Sequence, residues 1–310
     1  AVERDGLPIL LHTHKTNDAA GYLIGLGAIP GLEGARVVRA EVKVGRSRFD
    51  FLLDRAGEEI FLEVKSCTLV GDRVAMFPDA VTERGARHVH ELAKMSEEGT
   101  RTAVLFLVHW PHADIFMPDF HTDLRFAETL LACHDAVKVI AASAVWDRGL
   151  ALLPESRALD IPWKTIETEA RDRGSYLVLM RLPRTRVLEI GRLGRVRFPR
   201  GHYIYVGSAM ANLSRRVERH AKVRKRMHWH IDRFRPHALF VDALAIRSSD
   251  RLECEIAGAV GALSDWLVPG FGCSDCACPS HLFGFAGDPL TREGFHRLLA
   301  WFRMDRLAGR

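Results

Sequence analysis

Three charged residues in the first half of the chain have the types and spacing that phosphate chemistry requires: Asp50, Glu63 and Lys65. Asp50 lies in an alternating segment, 48–53, and the other two lie in 61–65, where β-branched and aromatic residues predict a strand. Because side chains on a strand alternate between faces, Glu63 and Lys65 share one face, which Asp50 can reach across a hairpin. Two carboxylates offer oxygen ligands to Mg²⁺ or Mn²⁺, and a lysine ammonium can orient water or offset phosphate charge.

The elements that must hold these residues follow from apolar spacing and turn residues. The sequence Asp-Arg-Ala-Gly-Glu at 54–58 contains a turn set, which joins strands over 48–54 and 59–67 in a hairpin. Apolar spacing predicts the remaining elements of the first half as helices over 15–29, 79–98 and 123–134 and strands over 36–44, 102–109 and 136–143. The resulting order, α-β-β-β-α-β-α-β, is that of a nuclease core, so the predicted fold class is α/β.

The spacing Asp-x(12)-Glu-x-Lys resembles the site of PD-(D/E)xK nucleases, although a salt-bridged hairpin on a solvated sheet face would give the same pattern. The segments 41–51, 63–69 and 77–88 resemble the sugar fermentation stimulation protein (SfsA) family, and the resemblance covers roughly residues 8–162. It implies a PD-(D/E)xK-like nuclease domain that binds DNA. In that family an OB-fold nucleic-acid module precedes this region, and we expect the present chain to lack it.

Two further residues of the same family signature lie on the predicted helix over 79–98. Arg84 and His88 are four residues apart and therefore lie on one helix face. The resemblance implies a role near the phosphate for both residues, and a solvated helix face is the alternative. Glu41, on the strand before the hairpin, is a further candidate ligand for the metal ion.

The chain divides by charge into two halves. Residues 1–163 contain 18 Lys and Arg against 24 Asp and Glu, a net charge of −6, whereas residues 164–310 contain 26 against 15, a net charge of +11. A basic half is attracted to phosphate backbones, and its binding weakens as salt is added. We predict a first domain over 1–163, a linker over 164–173 and a nucleic-acid domain over 174–310.

Composition excludes several classes of protein. A hydrophobic content of 47% and a charged content of 27% are those of a folded soluble chain. The apolar run 102–109 is far too short to span a membrane, and no signal peptide is evident. Six unevenly spaced cysteines do not form a secreted disulfide framework. We therefore expect a cytoplasmic protein without a membrane partner.

Two tyrosine motifs mark the second half: Gly174-Ser-Tyr176 and, after a hairpin, Tyr205-Val-Gly207. Each lies in an apolar segment predicted as a strand, and a helix follows over 212–220. This layout resembles the GIY-YIG nuclease fold, and most of the second half resembles a small uncharacterised GIY-YIG-like family. The resemblance implies a small α+β domain that acts on nucleic acid. The usual late asparagine of GIY-YIG nucleases is not evident.

The GIY-YIG pattern assigns roles to four residues: Tyr176, Tyr205, Arg216 and Glu255. A tyrosine hydroxyl can deliver or orient the proton of an attacking water. Arg216 can bind the scissile phosphate through two parallel hydrogen bonds, and Glu255 can hold a divalent ion. For either tyrosine alone, a buried strand residue is the alternative.

A basic run follows the helix and ends in an aromatic residue: Lys222, Arg224, Lys225, Arg226 and Trp229. Lysine and arginine bind phosphates and an indole stacks on bases, so this run is a candidate nucleic-acid contact. A solvated charged surface would show the same composition.

Near the C-terminus, a C-x-x-C-x-C-x-x-H pattern contains Cys273, Cys276, Cys278 and His281. Thiolates and imidazole are zinc ligands, so the pattern indicates a zinc site. The spacing is tighter than that of a zinc finger, and a tight turn packed by small thiols is the alternative.

The combined hypothesis is a nuclease that depends on Mg²⁺ or Mn²⁺ and binds DNA, or RNA, with zinc as a further candidate ion. The alternative hypothesis is a DNA-binding or regulatory protein that affects sugar metabolism without catalysis.

Overall fold

The structure is a computed structural model that describes residues 1–45 and 47–309 and divides into two compact units. The first unit comprises Ala1–Glu167 and the last residues from Met304 onward, and the second comprises Thr168–Arg303. The predicted second domain continued to the C-terminus. In the structure the chain instead returns to the first unit, where the Asp305 carboxylate accepts a hydrogen bond of 2.8 Å from the backbone N–H of Asp72.

The first unit is a mixed α/β structure in which the predicted order of elements is present, with five short additional strands. Its strands are β1 (Val2–Arg4), β2 (Leu7–Ile9), β3 (Arg36–Val44), β4 (Ser47–Arg55), β5 (Glu58–Cys67), β6 (Leu69–Val70), β7 (Val74–Phe77), β8 (Arg101–Val108), β9 (Ile115–Pro118) and β10 (Lys138–Ser143). Its helices are α1 (Thr16–Gly25), α2 (Glu83–Glu97) and α3 (Leu124–Cys133), and α4 (Trp163–Glu169) leads into the second unit.

Two helices differ from their predicted bounds by four residues at one end, for local reasons. Helix α1 ends at Gly25 rather than at residue 29, because Gly27 adopts a φ of 66°, which leaves the helical region. Helix α2 begins at Glu83, because the hydroxyl of Thr82 accepts a hydrogen bond of 3.0 Å from the backbone N–H of Gly85 and caps the helix.

The main sheet of the first unit has the order β10-β8-β5-β4-β3, with β10, β8 and β5 parallel and β4 and β3 antiparallel to their neighbours. Helix α1 packs its apolar residues on one face of this sheet, and α2 and α3 pack on the other. Both faces are therefore buried, which explains the nearly continuous apolar sequence of β8.

Strands β4 and β5 separate part of the way along their length. Their pairing ends at Phe51 and Leu62, after which β5 remains paired with β8 while β4 remains paired with β3. Alternation predicts that Phe49 and Phe51 share a face, but Phe49 packs on the side of α2 and Phe51 on the side of α1. Asp50 lies between them, and Glu41, which lies between their partners on β3, has a φ of 52°.

The second unit has one five-stranded antiparallel sheet, in the order β15-β11-β14-β17-β16. Its strands are β11 (Gly174–Leu182), β12 (Arg186–Glu189), β13 (Arg195–Phe198), β14 (Gly201–Ala209), β15 (Leu239–Arg247), β16 (Trp266–Leu267) and β17 (Leu282–Phe285). Its helices are α5 (Leu213–Ala221), α6 (His230–Phe234), α7 (Glu253–Leu263) and α8 (Glu293–Arg303).

The two faces of this second sheet are covered by different helices. Tyr176 and Val178 of β11 belong to the core formed with α5 and α6, and Leu177 belongs to the core formed with α7 and α8.

Among the described residues, no helix is long and apolar enough to cross a membrane.

Candidate active site

The first candidate site lies where β4 and β5 separate. The Asp50 carboxylate accepts a hydrogen bond from the backbone N–H of Val64 and another from the Asn17 side chain on α1, both at 2.7 Å. It thereby bonds a β5 amide that lies beyond the end of the β4–β5 ladder. Because Val64 follows Glu63 directly, the two carboxylates approach the same peptide segment of β5.

Glu63 is buried, with 3% of its surface exposed, and its two carboxylate oxygens differ. Oε1 accepts hydrogen bonds from Lys65 Nζ at 2.5 Å and from His88 Nδ1 at 2.6 Å. Oε2 is buried and has no hydrogen-bond partner within the described part of the chain. A buried, unpaired carboxylate oxygen costs on the order of 1–3 kcal/mol or more, and a bound cation would remove that cost.

Glu63 and Lys65 are in direct contact, as expected for residues on one face of β5, and Asp50 makes contacts with α1 and with the backbone of β5. Asp50 bonds α1 through Asn17, whereas Glu63 bonds α2 through His88, and these helices cover opposite faces of the sheet. The separation of the strands brings the Asp50 carboxylate onto the backbone beside Glu63. Asn17 was missed as a site residue, since its only sequence signal is a polar side chain near a helix start.

The two carboxylates have different electrostatic environments. Burial and the negative charge of Glu63 raise the pKa of Asp50 above its ordinary value. Burial also acts to raise the pKa of Glu63, but the hydrogen bond from His88 and the charge of Lys65 outweigh it, so that pKa is lowered. Their environments thus shift the two pKa values in opposite directions.

Arg84 and His88 form a chain of contacts that ends at Glu63. Arg84 Nε donates to His88 Nε2 at 3.4 Å, so the other ring nitrogen carries the proton given to Glu63. His88 is 2% exposed, so it positions Glu63 rather than contacting nucleic acid as predicted, whereas Arg84 is exposed. Glu41 is exposed and pairs with Arg48 at 3.5 Å.

The second candidate site is built on β11 and β14, where Tyr176 and Tyr205 have ring centroids 6.4 Å apart. The Tyr176 hydroxyl lies 2.9 Å from Nε2 of His220 on α5. A Cβ on Gly207 would lie 2.4 Å from that hydroxyl oxygen, so the tyrosine requires glycine at this position. His220 was missed by sequence reasoning, although it lies four residues after Arg216 on the same helix.

Burial determines the ionisation of this site. It raises the pKa of Tyr176 and Tyr205 above their ordinary value, which keeps both hydroxyls protonated. Burial and the charge of Lys225 lower the pKa of His220 to about 3, so its ring is neutral. A neutral imidazole can accept a hydrogen bond from the Tyr176 hydroxyl.

The acidic residue beside the two tyrosines is Glu253, two residues before the predicted Glu255. Glu253, at the start of α7, is half-buried, accepts a hydrogen bond from the Ser208 hydroxyl and lies 3.1 Å from Nδ1 of His281. Its charge also acts on both tyrosines. Glu255 is exposed, because residues two apart on a helix point in very different directions.

The predicted nucleic-acid contacts after α5 divide into an internal and an exposed set. Buried Asp232 pairs with Arg219 at 2.8 Å and with Lys225 at 3.0 Å, so Lys225 is internal to the fold. Trp229 contacts Arg216 and Arg219, whose guanidinium carbons are 4.5 and 4.3 Å from its ring centroid. These guanidinium groups lie over the indole ring, the surface on which the predicted base stacking would occur.

The exposed set retains the charge that nucleic-acid binding requires. It consists of Lys222, Arg224 and Arg226.

The cysteine cluster also differs from its prediction. Cys276, Cys278 and His281 come together with Cys254 of α7, and Cys273 is not a member of the group. Cys254 was missed because it lies in a different element from the other three residues.

Two family models match the chain. The sugar fermentation stimulation protein RE domain (SfsA) matches residues 14–149, and a domain of unknown function, DUF123, matches residues 175–300.

A sugar fermentation stimulation protein homolog of Caldivirga maquilingensis is 40% identical over 159 residues, which cover 51% of this chain and 68% of that protein. The homolog of Methanothermobacter thermautotrophicus is 37% identical over 166 residues, covering 54% and 64%. A solved structure of Pyrococcus furiosus SfsA in complex with Ca²⁺ is 31% identical and covers 51% of this chain and 69% of that one, with a TM-score of 0.48.

By fold, the chain is a mixed α/β protein with two units. By sequence, it belongs to the sugar fermentation stimulation protein family. It spans 58% to 64% of the length of the relatives from Pyrobaculum arsenaticum and Methanothermobacter thermautotrophicus.

Proposed function

We propose that the first unit is a PD-(D/E)xK-like nuclease that hydrolyses phosphodiester bonds in DNA, or in RNA, with a divalent metal ion. The single observation that carries this proposal is the buried Glu63 Oε2, which has no hydrogen-bond partner among the described residues although Asp50 and Lys65 are beside it. A structural salt bridge would pair both oxygens, whereas a ligand site leaves one free for an ion.

Asp50 and Glu63 would hold the ion, since their oxygen atoms suit Mg²⁺ or Mn²⁺. The bound ion would supply a Lewis acid for the phosphate and a more acidic water. Lys65, held on Glu63 Oε1, places a positive charge where negative charge develops on the phosphate. His88 fixes the orientation of Glu63, and exposed Arg84 is positioned to bind an adjacent phosphate.

The second unit, proposed to be GIY-YIG-like, is a second candidate for the same chemistry, favoured by the Tyr176–His220 contact. The Tyr176 hydroxyl would take a proton from an attacking water while it gives its own proton to neutral His220. Arg216 would bind the phosphate, and Glu253 would hold the ion.

A third candidate is nucleic-acid binding without cleavage, favoured by the net charge of +11 in residues 164–310 and by exposed Lys222, Arg224 and Arg226. This candidate corresponds to a regulatory protein that affects sugar metabolism. The three candidates differ in which variants affect binding and which affect cleavage.

The test is cleavage of end-labelled single- and double-stranded DNA and RNA by the full chain in Mg²⁺, Mn²⁺ or EDTA. We expect cleavage that EDTA abolishes and that Glu63→Gln lowers at least about 100-fold. Glu59→Gln is the matched control, since Glu59 is an exposed carboxylate on the same strand.

Three outcomes would contradict the proposal for the first unit. Cleavage that persists in EDTA would exclude the metal. Cleavage lost in Glu253→Gln but kept in Glu63→Gln would assign the reaction to the second unit. Retarded nucleic acid without products under any metal would favour binding alone.

A further inference from the structure

Four soft ligand side chains from two separate segments meet in the second unit. Cys254 lies in the first turn of α7, and Cys276, Cys278 and His281 lie in the loop that precedes β17. Their ligand atoms all lie within 4.8 Å of one another. A tetrahedral zinc ion with Zn–S bonds of about 2.3 Å holds its sulfur ligands about 3.8 Å apart, so only small side-chain movements would close the site.

His281 is oriented as a metal-binding histidine would be. Its ring is buried, with Nδ1 lying 3.1 Å from Glu253 Oε1 and Nε2 lying 3.4 Å from the Cys276 sulfur. A carboxylate at Nδ1 fixes the proton there and leaves the Nε2 lone pair directed at the thiols. Metal-bound histidines commonly have such a carboxylate partner on the other ring nitrogen.

The loop that carries three of the ligands is held by backbone hydrogen bonds. The His281 N–H donates to the Phe271 carbonyl at 2.7 Å, and the Gly270 N–H donates to the Pro279 carbonyl at 2.9 Å. These bonds close the loop at its base, so the cysteines between them are presented by a defined backbone.

We propose that Cys254, Cys276, Cys278 and His281 form a structural zinc site. Three thiols and one imidazole select zinc over Mg²⁺ or Mn²⁺, which prefer oxygen. Four protein ligands complete a tetrahedral site and leave no position for a substrate, so its role is structural.

The zinc site would also position a residue of the tyrosine site. His281 bonds Glu253, which in turn accepts the hydrogen bond from Ser208 and acts on Tyr176. Loss of the ion would therefore free His281 and loosen the carboxylate that faces the two tyrosines. This inference is independent of the proposed nuclease site in the first unit.

The test is the zinc content of the reduced full chain, together with the absorption of the Co²⁺-substituted protein. We expect about one zinc ion per chain and the intense sulfur-to-cobalt absorption of a tetrahedral thiolate site. Cys254→Ser should lose most of the bound zinc, and Cys273→Ser should keep it. Cys273 is the matched control because it is a thiol of the same loop outside the cluster.

A second variant keeps the test decisive if Cys254→Ser does not fold. Cys254→His retains a ligand and should bind Co²⁺ with a weaker sulfur absorption. Wild-type chain that takes up neither zinc nor cobalt under reducing conditions would overturn the proposal. Loss of zinc in Cys273→Ser with retention in Cys254→Ser would overturn the ligand assignment.

Discussion

The candidate sites of the two units differ in the charge and in the donor atoms of their side chains. The first places the charged oxygens of Asp50 and Glu63 beside an ammonium at a separation between strands, whereas the second gathers neutral tyrosines, a neutral imidazole and three thiols. Hard oxygen ligands favour Mg²⁺ or Mn²⁺, and soft sulfur ligands favour zinc. The donor atoms of the first unit therefore favour Mg²⁺ or Mn²⁺, and those of the second unit favour zinc.

The units also differ in how they satisfy a buried carboxylate. Asp232 accepts hydrogen bonds from Arg219, from Lys225 and from the backbone N–H groups of His228 and Trp229. Glu63 has one oxygen without a partner among the described residues. A fully paired buried carboxylate indicates a structural role, whereas an unpaired oxygen indicates a ligand.

The largest effect that this comparison predicts is on stability, at Asp232. Asp232→Asn leaves Arg219 and Lys225 without their buried partner and should lower the free energy of unfolding by about 3–5 kcal/mol. Urea denaturation followed by circular dichroism measures the change. Asp242→Asn, at an exposed strand position, is the control. An equal loss of stability in both variants would contradict the structural role assigned to the paired carboxylate of Asp232.

The next effect is on activity, at Lys65. Lys65→Met removes the charge beside the proposed ion without removing a ligand, so cleavage should fall about 100-fold while the fold persists. Single-turnover cleavage assays measure the rate. Lys43→Met, at an exposed position on β3, should leave the rate unchanged. Full activity of Lys65→Met would assign the lysine a structural role only.

A smaller effect is expected from pH, because burial lowers the pKa of one histidine in the first unit, His109, and of one in the second unit, His220. Burial lowers the pKa of His109 in the first unit to about 4, and burial with the charge of Lys225 lowers that of His220 in the second unit to about 3. The unfolded chain binds a proton near pH 6.5, so stability is full above that pH and falls as pH decreases toward each folded value.

Each histidine should therefore lower the free energy of unfolding by about 2 kcal/mol between pH 7 and pH 5. Urea midpoints of wild type and of His220→Gln at the two pH values measure the second contribution. The variant should lose less stability on acidification than wild type does, and an identical loss would show that His220 is not buried in its neutral form.

The smallest effect concerns the exposed basic residues. Ala substitution of Lys222, Arg224 or Arg226 should weaken nucleic-acid binding a few-fold each and reduce the salt dependence by about one phosphate contact. Fluorescence anisotropy over a range of salt concentrations measures both quantities. Lys225→Ala removes an internal ion pair and should instead lower the stability of the fold. The same effect on binding and on stability in all four variants would contradict the assignment of Lys225 to the internal set.

Much of the local structure could be predicted from sequence, because it depends on neighbouring residues. Apolar alternation and the turn at 54–58 predicted the β4–β5 hairpin, and helical spacing predicted α2 and α3. The separation of β4 from β5 could not be predicted, since it depends on pairing with other strands and on the contact between Asp50 and Asn17.

The position of Glu253 beside the tyrosines could have been predicted from helical spacing. Glu253 lies three and four residues before buried Ile256 and Ala257, and so on the apolar side of α7, whereas Glu255 lies on the exposed side. The partnership of Cys254 with the later loop could not be predicted, because only the fold brings these two segments together.

The most direct test of the central claim is Mn²⁺ binding to the zinc-loaded full chain, measured from the electron paramagnetic resonance signal of free Mn²⁺. The account predicts one bound ion in wild type and in Glu59→Gln, and an affinity at least about 10-fold weaker in Glu63→Gln. Equal Mn²⁺ affinity in all three proteins would contradict the assignment of Glu63 as a metal ligand.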